Sequence, residues 1–331
     1  MTEYSPRQSV EKGNECRAVK VRPITLEELD TFASCGQKLG YTDEGKQYIE
    51  RMFTVGSIRP EWCFVAEDNS GIQGRLAFWT LPGMEKPMDL VLLDLDWERT
   101  DFLRRGTELL SQALDFIRGL NVEKLGHVLD LPAMAPQWQH FSEKRIELLE
   151  QFGFQQERET IRFEFKAGDD ISPKLSNKQV IFQSLQEVGE AAFIEAIRRV
   201  SERTLDRQIE QDRQLLGELE QAKDMFDLLK RMKSEPAWWE LAFTPAGDLI
   251  GLVMPTESPT YATIGYIGVV PEQRGQGYIQ TLLQRGTSTL CEAGATEIRA
   301  DTDVNNKPMA AAFCNAGYRQ FATRREYGLK V

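Results

Sequence analysis

Two stretches of this 331-residue chain carry the same order of signals. Self-similarity over so long a stretch constrains the fold more than any single motif does. Pro60-Glu61-Trp62 answers Pro236-Ala237-Trp238, and Gly71 answers Gly247, both at a separation of 176 residues. Arg105-Gly106 answers Arg274-Gly275 at 169, and Gly153-Phe154 answers Gly317-Tyr318 at 164. The separation drifts as loops change length, but the order holds, so the chain reads as a duplication. A length of this size also suits two domains. The expected division is a disordered tail at 1–15, a first domain at 16–166, a linker at 167–178 and a second domain at 179–331. The linker is placed where the sequence turns polar and carries Gly and Pro.

Within each half, runs of strand length alternate with helical periodicity. In the first half, residues 62–66 and 72–79 flank a Glu-Asp-Asn-Ser-Gly turn and read as a hairpin. Residues 90–95 and 160–165 read as further strands, and 109–120 and 144–152 as helices. Thr25, with Glu28 three residues on, reads as a capping box. In the second half, 180–185 reads as a strand, 188–200 as a helix, and 206–232 as one or two charged helices. A second hairpin follows, over 238–243 and 249–254.

Composition excludes several functions. The net charge of −11 disfavours nucleic acid, whose binding needs a basic surface to displace counterions. Five widely spaced cysteines without a Cys-x-x-Cys suit free thiols in a reducing compartment. The two histidines, His127 and His140, both lie in the first half, so no zinc site is expected and no metal cofactor is assigned. The polar N-terminus lacks a signal core, and no run approaches 18 apolar residues. A cytoplasmic protein with no membrane partner is the expectation, as a monomer or a homodimer.

The chemistry is concentrated in one segment. Residues 263–270, Thr-Ile-Gly-Tyr-Ile-Gly-Val-Val, form an apolar run suited to a central strand. Gly265 and Gly268 inside it mark a bulge or a close backbone approach. Pro271-Glu272-Gln273-Arg274-Gly275-Gln276-Gly277 follows, and then a helix with Ile279, Leu282, Leu283, Gly286 and Leu290 on one stripe. The first turn of a helix presents unpaired N–H groups and a positive dipole end. Glycines at 275 and 277 let an anion approach those groups, which makes the turn a candidate phosphate cradle. The Lys-containing P-loop is missing. Taken alone, such a turn is more often only a connection.

Residues 270–278, Val-Pro-Glu-Gln-Arg-Gly-Gln-Gly-Tyr, closely resemble the acetyl-CoA signature of the GNAT superfamily of N-acetyltransferases, Gln/Arg-x-x-Gly-x-Gly/Ala after a strand. Arg274 takes the first place and Gly277 the second, while Ile279 departs from the usual small third residue. A second match lies further on. Asn306 opens a short helix eleven residues before Gly317-Tyr318, the family's spacing. The resemblance covers the second half from about residue 180 and extends more faintly over 19–165.

The resemblance implies an α/β (α+β) fold of two GNAT-like domains, each a mixed, mostly antiparallel central sheet with helices on both faces. It implies acetyl-CoA as co-substrate and a small-molecule amine as acceptor, with direct attack of the amine on the thioester. A protein N-terminus or lysine is the alternative acceptor, and a non-catalytic CoA-binding module is the alternative class. The family pattern places pantetheine between the strand ending near Val270 and the strand beginning near Glu297. Gly268, Val269 and Val270 would line it, with an N–H near Val269 on the acetyl carbonyl. Arg274, Gly275, Gln276, Gly277, Tyr278 and Ile279 would hold the pyrophosphate, and Asn306 and Phe313 would flank the pantetheine arm. Asn306 also reads as a plain helix cap.

Phe313 stands where relatives carry a Tyr acid, and Thr263 or Gly265 where they often carry a Glu. Glu257, Tyr266 and Asp303 are the substitutes considered for acid–base work. Loop solvation, core packing and turn capping are their respective structural alternatives. The first half lacks the cradle: Leu103 to Glu108 has one glycine and an acid at the helix start. It reads as a degenerate copy. Glu210, Asp212 and Glu218 in the charged helices could attract a cationic amine or simply face solvent.

Overall fold

A computed structural model describes residues 19–34, 43–168, 179–258 and 261–331. The expected tail at 1–15 and most of the expected linker at 167–178 lie outside the described residues. In the first half the strands are β1 Lys20–Pro23, β2 Cys63–Asp68, β3 Gly71–Trp79, β4 Asp89–Leu95, β5 Lys124–Leu131 and β6 Gln155–Lys166. In the second they are β7 Ile181–Ser184, β8 Glu240–Phe243, β9 Leu249–Glu257, β10 Ala262–Val269, β11 Glu297–Asp303 and β12 Arg319–Lys330.

All twelve form one sheet in the order β1-β2-β3-β4-β5-β12-β6-β11-β10-β9-β8-β7. The last strand of each half has changed places with its counterpart. β12 lies against β5 of the first half, and β6 lies against β11 of the second. The exchanged strands pair with each other along most of their length, from Arg319↔Glu164 to Gly328↔Gln155. Most neighbours are antiparallel, and only β4·β5 and β10·β11 are parallel. This is the mixed, mostly antiparallel architecture expected, with the two sheets fused into one.

Helices cover both faces. They are α1 Leu29–Ser34, α2 Asp43–Thr54, α3 Phe102–Arg118 and α4 Ser142–Gln151 in the first half. The second half has α5 Leu185–Val188, α6 Glu190–Val200, α7 Arg207–Leu216, α8 Glu218–Lys230, α9 Tyr278–Glu292 and α10 Lys307–Asn315. Gly189 and Gly217, at φ +79° and +87°, separate α5 from α6 and α7 from α8, because only glycine adopts that backbone without cost. The Thr25–Glu28 capping box forms as expected.

Each half has two hydrophobic cores, one per face. In the second half α9 and α10 bury Leu282, Leu283, Leu290 and Phe313 on one side. On the other, α6 and α8 bury Phe193, Ile197, Phe226 and Leu229 around Trp239. The helical stripes meet a strand whose side chains alternate between faces, so one sheet serves both layers.

Candidate active site

β10 pairs with β9 from Ala262 to Val269, but it meets β11 only at Ala262 and Thr263. Beyond that point the two strands diverge. Val270 donates to the Ile250 carbonyl across the hairpin at 2.9 Å. Backbone direction alternates along a strand, so Ile267 and Val269 turn their N–H groups to the open side. Diverging strands with free backbone groups are what an amide-bearing rod needs in order to pair as an extra strand.

The two glycines in β10 have separate causes. Gly265 sits at a register shift between Ile264 and Tyr266, where a Cβ would lie 2.7 Å from Thr256 Oγ1 and 3.0 Å from the Met254 carbonyl. Gly268 lies under α6, where a Cβ would come within 2.9 Å of Val200 Cβ. The bulge and the close approach expected from the sequence are both present.

After β10, Pro271–Gln273 makes a single 3₁₀ turn, and the chain reaches α9 through Gly275 and Gly277 at φ +74° and +84°. A side chain at either site would be strained in this left-handed region. Nothing lies within 4 Å of where either Cβ would stand, so the glycines border open space. Gly277 is the N-cap of α9. The N–H groups of Gly275 and Gly277 have no partner among the described residues. Two backbone donors and a helix N-terminus thus face one open volume, which fits a diphosphate.

Arg274 does something else. Its Nη1 and Nη2 donate to the carbonyls of Val200, Glu202 and Arg203 at 2.8–3.2 Å, and its Nε to the Val269 carbonyl at 3.1 Å. These are mostly the orphan carbonyls at the end of α6, so the guanidinium ties α6 to the cradle. Its own N–H is turned to the Pro271 carbonyl at 3.3 Å. Gln276 donates to Gln273 Oε1 at 3.0 Å, and Tyr278 is buried in the core.

A cavity of about 810 Å³ runs from the cradle through the strand gap to the face covered by α7 and α8. It is lined by Gly268, Val269, Arg274, Gly275, Gly277, Tyr278, Ile279, Asn306 and Phe313 at the cradle end. Asn306 caps α10 by accepting from the Met309 N–H at 3.3 Å, and it still lines the cavity, so its two readings coexist. Phe313 stacks on Phe163 with ring centroids 5.1 Å apart and is 2% exposed. It shapes the wall and holds no proton.

The three acid–base candidates part company. Tyr266 lines the cavity, and its hydroxyl has no hydrogen bond to another described residue. Burial pushes its pKa up, so the phenol stays protonated. Glu257 is ion-paired with Lys233 and lines a separate recess with Trp238 and Thr296. Asp303 is fully buried, and its carboxylate accepts from the N–H groups of Asn305 at 2.8 Å and Arg207 at 3.2 Å. It fastens the turn after β11 to the start of α7.

Of Glu210, Asp212 and Glu218, only Asp212 lines the cavity. Glu210 accepts from Gln214, and Glu218 pairs with Arg198 and Arg213. Sequence reasoning missed Arg158, which comes from β6 of the first half and lines the cavity through the strand exchange. Its guanidinium bonds Asp206, the N-cap of α7, and pairs with Glu326 at 3.4 Å. It missed Tyr261 and Asp301 as well. Strand alternation alone could have placed Asp301 on the same face as Arg299 and Asp303.

Among the described residues no group of three or more His, Cys, Asp or Glu is arranged to hold a metal, and no helix is long and apolar enough to cross a membrane.

Residues 204–318 match the model of the acetyltransferase (GNAT) family. A search of the curated proteins finds no match. Among solved structures the chain resembles a GCN5-related N-acetyltransferase from Sphaerobacter thermophilus, with a TM-score of 0.61 at 16% identity over 94% of this chain and 95% of that one. It also resembles a tandem GNAT protein from the clavulanic acid biosynthesis pathway, with a TM-score of 0.55 at 12% identity over 95% and 98%. At these identities the likeness is one of fold. The strand gap and the glycine cradle both lie within the stretch that matches the acetyltransferase (GNAT) family model, residues 204–318.

Proposed function

We propose that the protein is an acetyl-CoA-dependent N-acetyltransferase that acts on a small amine, with 179–331 as the working half and 16–166 as a degenerate copy. The observation that carries this reading is the pair of left-handed glycines, Gly275 and Gly277, opening onto a cavity that continues between diverging strands. Bound acetyl-CoA supplies the activated acetyl group. The amides of residues 275–279 hold its diphosphate, the open edge of β10 orients the pantetheine arm, and the N–H of Ile267 or Val269 faces the thioester carbonyl. The amine attacks the carbonyl carbon, the carbon–sulfur bond breaks, and the proton leaving the amine passes to solvent in the open cavity. Tyr266, which lines the cavity and keeps its proton, would give one to the departing thiolate.

The acceptor end favours a small molecule over a protein. Arg158 of the first half walls it, and Met84 of the first half touches Arg231 at the end of α8. A cytoplasmic location fits the free thiols Cys63, Cys291 and Cys314.

Acetyl transfer to a panel of amines, followed by release of free CoA thiol, tests the reading. Turnover on small amines is the expected result. Tight acetyl-CoA binding without turnover on any amine would favour a binding module, and turnover only on peptides would favour a protein acceptor.

A further inference from the structure

The far end of the cavity has two unlike walls. Ile209, Met225 and Leu228 of α7 and α8, with Met232 just after α8, make one side apolar, while the sheet presents polar groups opposite. The charged groups there are nearly all engaged. Arg158 is held by Asp206 and Glu326. Asp301 pairs with Arg162 at 3.2 Å. Arg299 pairs with Glu297 at 2.6 Å and lies over the Tyr261 ring.

Asp212 is the exception: among the described residues it forms no ion pair, and Lys124, the cation that acts on it, is itself paired with Glu157 at 2.7 Å. Gln208 Nε2 donates to Oδ1 at 2.8 Å and orients it. A partly buried carboxylate outside any ion pair carries a desolvation cost that a cationic ligand group would offset, and burial already raises its pKa. Asp212 follows the helix cap Asp206 by six residues, so it stands about 9 Å further along the axis of α7.

We propose that the acceptor is an amine with an apolar body and a second cationic group, and that Asp212 is the residue that reads this second group. The proposal rests on the transferase reading above. Matched acceptors test it: linear α,ω-diamines against amino alcohols of equal length, with wild type and Asp212→Asn. The diamine should exceed the amino alcohol at least tenfold in kcat/KM. Asp212→Asn should erase that gap by raising KM for the diamine while leaving kcat in place. Equal kcat/KM for both acceptors in the wild type overturns the proposal, as does a gap that survives in Asp212→Asn. So does the absence of transfer to either. Calorimetry with acetyl-CoA separates the two levels: lost cofactor binding sinks the transferase reading, and intact binding without diamine preference sinks only this one.

An independent observation concerns the first half. There β4 and β5 pair only at Asp89↔Gly126 and then diverge, as β10 and β11 do. The connection from β5 to α4 runs over 132–141, whereas β11 reaches α10 through 304–306 alone. The longer segment folds back to the strands. Gln137 Oε1 accepts from the N–H of Leu92 at 3.3 Å, and Leu92, at φ +53°, holds the bulge position that Gly265 holds in β10. Arg145 on α4 holds the segment's end by donating to the His140 carbonyl at 2.6 Å. At the start of α3, Asp101 takes Arg99, Arg104 and Arg105.

We infer that residues 132–141 are a built-in occupant of the first half's strand gap, so the chain binds one acyl-CoA and not two. Native mass spectrometry of the full chain with acetyl-CoA should show one ligand on the wild type and none on Gly277→Glu. Two ligands on the wild type, or one on Gly277→Glu, would overturn the inference.

Discussion

Thr160 and Arg324 face each other across β6 and β12, and they are also equivalent positions of the two halves, 164 residues apart like Gly153 and Gly317. A pair that is both partner and counterpart marks the axis relating the halves. On either side of it each half lends its last strand to the other.

The exchange ties folding to both halves. Without β12, β5 would expose an unpaired edge, and without β6, β11 would do the same. An exposed edge is a site for aggregation. Residues 1–168 or 179–331 produced alone should be insoluble or unfolded by circular dichroism, while co-expression of the two should give a soluble complex. A folded, monomeric isolated half would contradict the exchange.

Arg274 occupies the signature's basic position, yet its guanidinium spans carbonyls at the end of α6. Charge-assisted hydrogen bonds are among the stronger ones. Arg274→Ala should therefore lower unfolding free energy by about 2–3 kcal/mol in urea. Arg274→Lys should recover little of it, since one ammonium cannot reproduce the fork. Loss of acetyl-CoA affinity with unchanged stability would instead place the side chain on the cofactor.

Of Tyr266, Glu257 and Asp303, only Tyr266 lines the cavity, and Tyr266→Phe removes its hydroxyl. A general acid contributes roughly 10²–10⁴-fold. Stopped-assay kinetics should show kcat reduced about 100-fold with KM for acetyl-CoA nearly unchanged. A variant as active as wild type would mean that the thiolate leaves without help from this phenol.

His127 on β5 is fully buried, with Nδ1 2.8 Å from the Leu90 carbonyl and no hydrogen-bond partner for Nε2 among the described residues. Burial lowers its pKa to about 4. In the unfolded chain it titrates near its ordinary value of about 6.5. Between these values the unfolded state binds the extra proton, so stability is complete above about pH 6.5 and falls as pH drops toward 4. The loss from this residue should be about 3 kcal/mol. Comparing wild type with His127→Gln in urea at pH 7 and pH 4 isolates it. A pH-independent difference would refute buried neutrality.

Much of this was legible in the sequence. Periodicity placed α9 and the hairpins, and the glycine turn with Asn306 placed the cradle end of the cavity. Three features were not. β5 escaped notice because Gly126, His127 and Asp130 interrupt its apolar pattern, although His127 and Asp130 are both buried. The strand exchange leaves no local mark, since β6 and β12 have the same pattern whichever half they pair with. Arg158 was invisible as a site residue for that reason: it reaches the cavity only because its strand has crossed over. The fate of each acidic residue also depended on partners far along the chain, as with Glu257 on Lys233 and Asp303 on the Arg207 amide.

Calorimetric titration of acetyl-CoA into wild type and Gly277→Glu tests the cradle most directly. The left-handed backbone at 277 makes the substitution cost about 1–2 kcal/mol of strain, and the new side chain puts bulk and negative charge where the diphosphate would lie. The account predicts saturable binding by the wild type and at least a 100-fold loss in a still-folded variant. Equal affinity in the two proteins would contradict it.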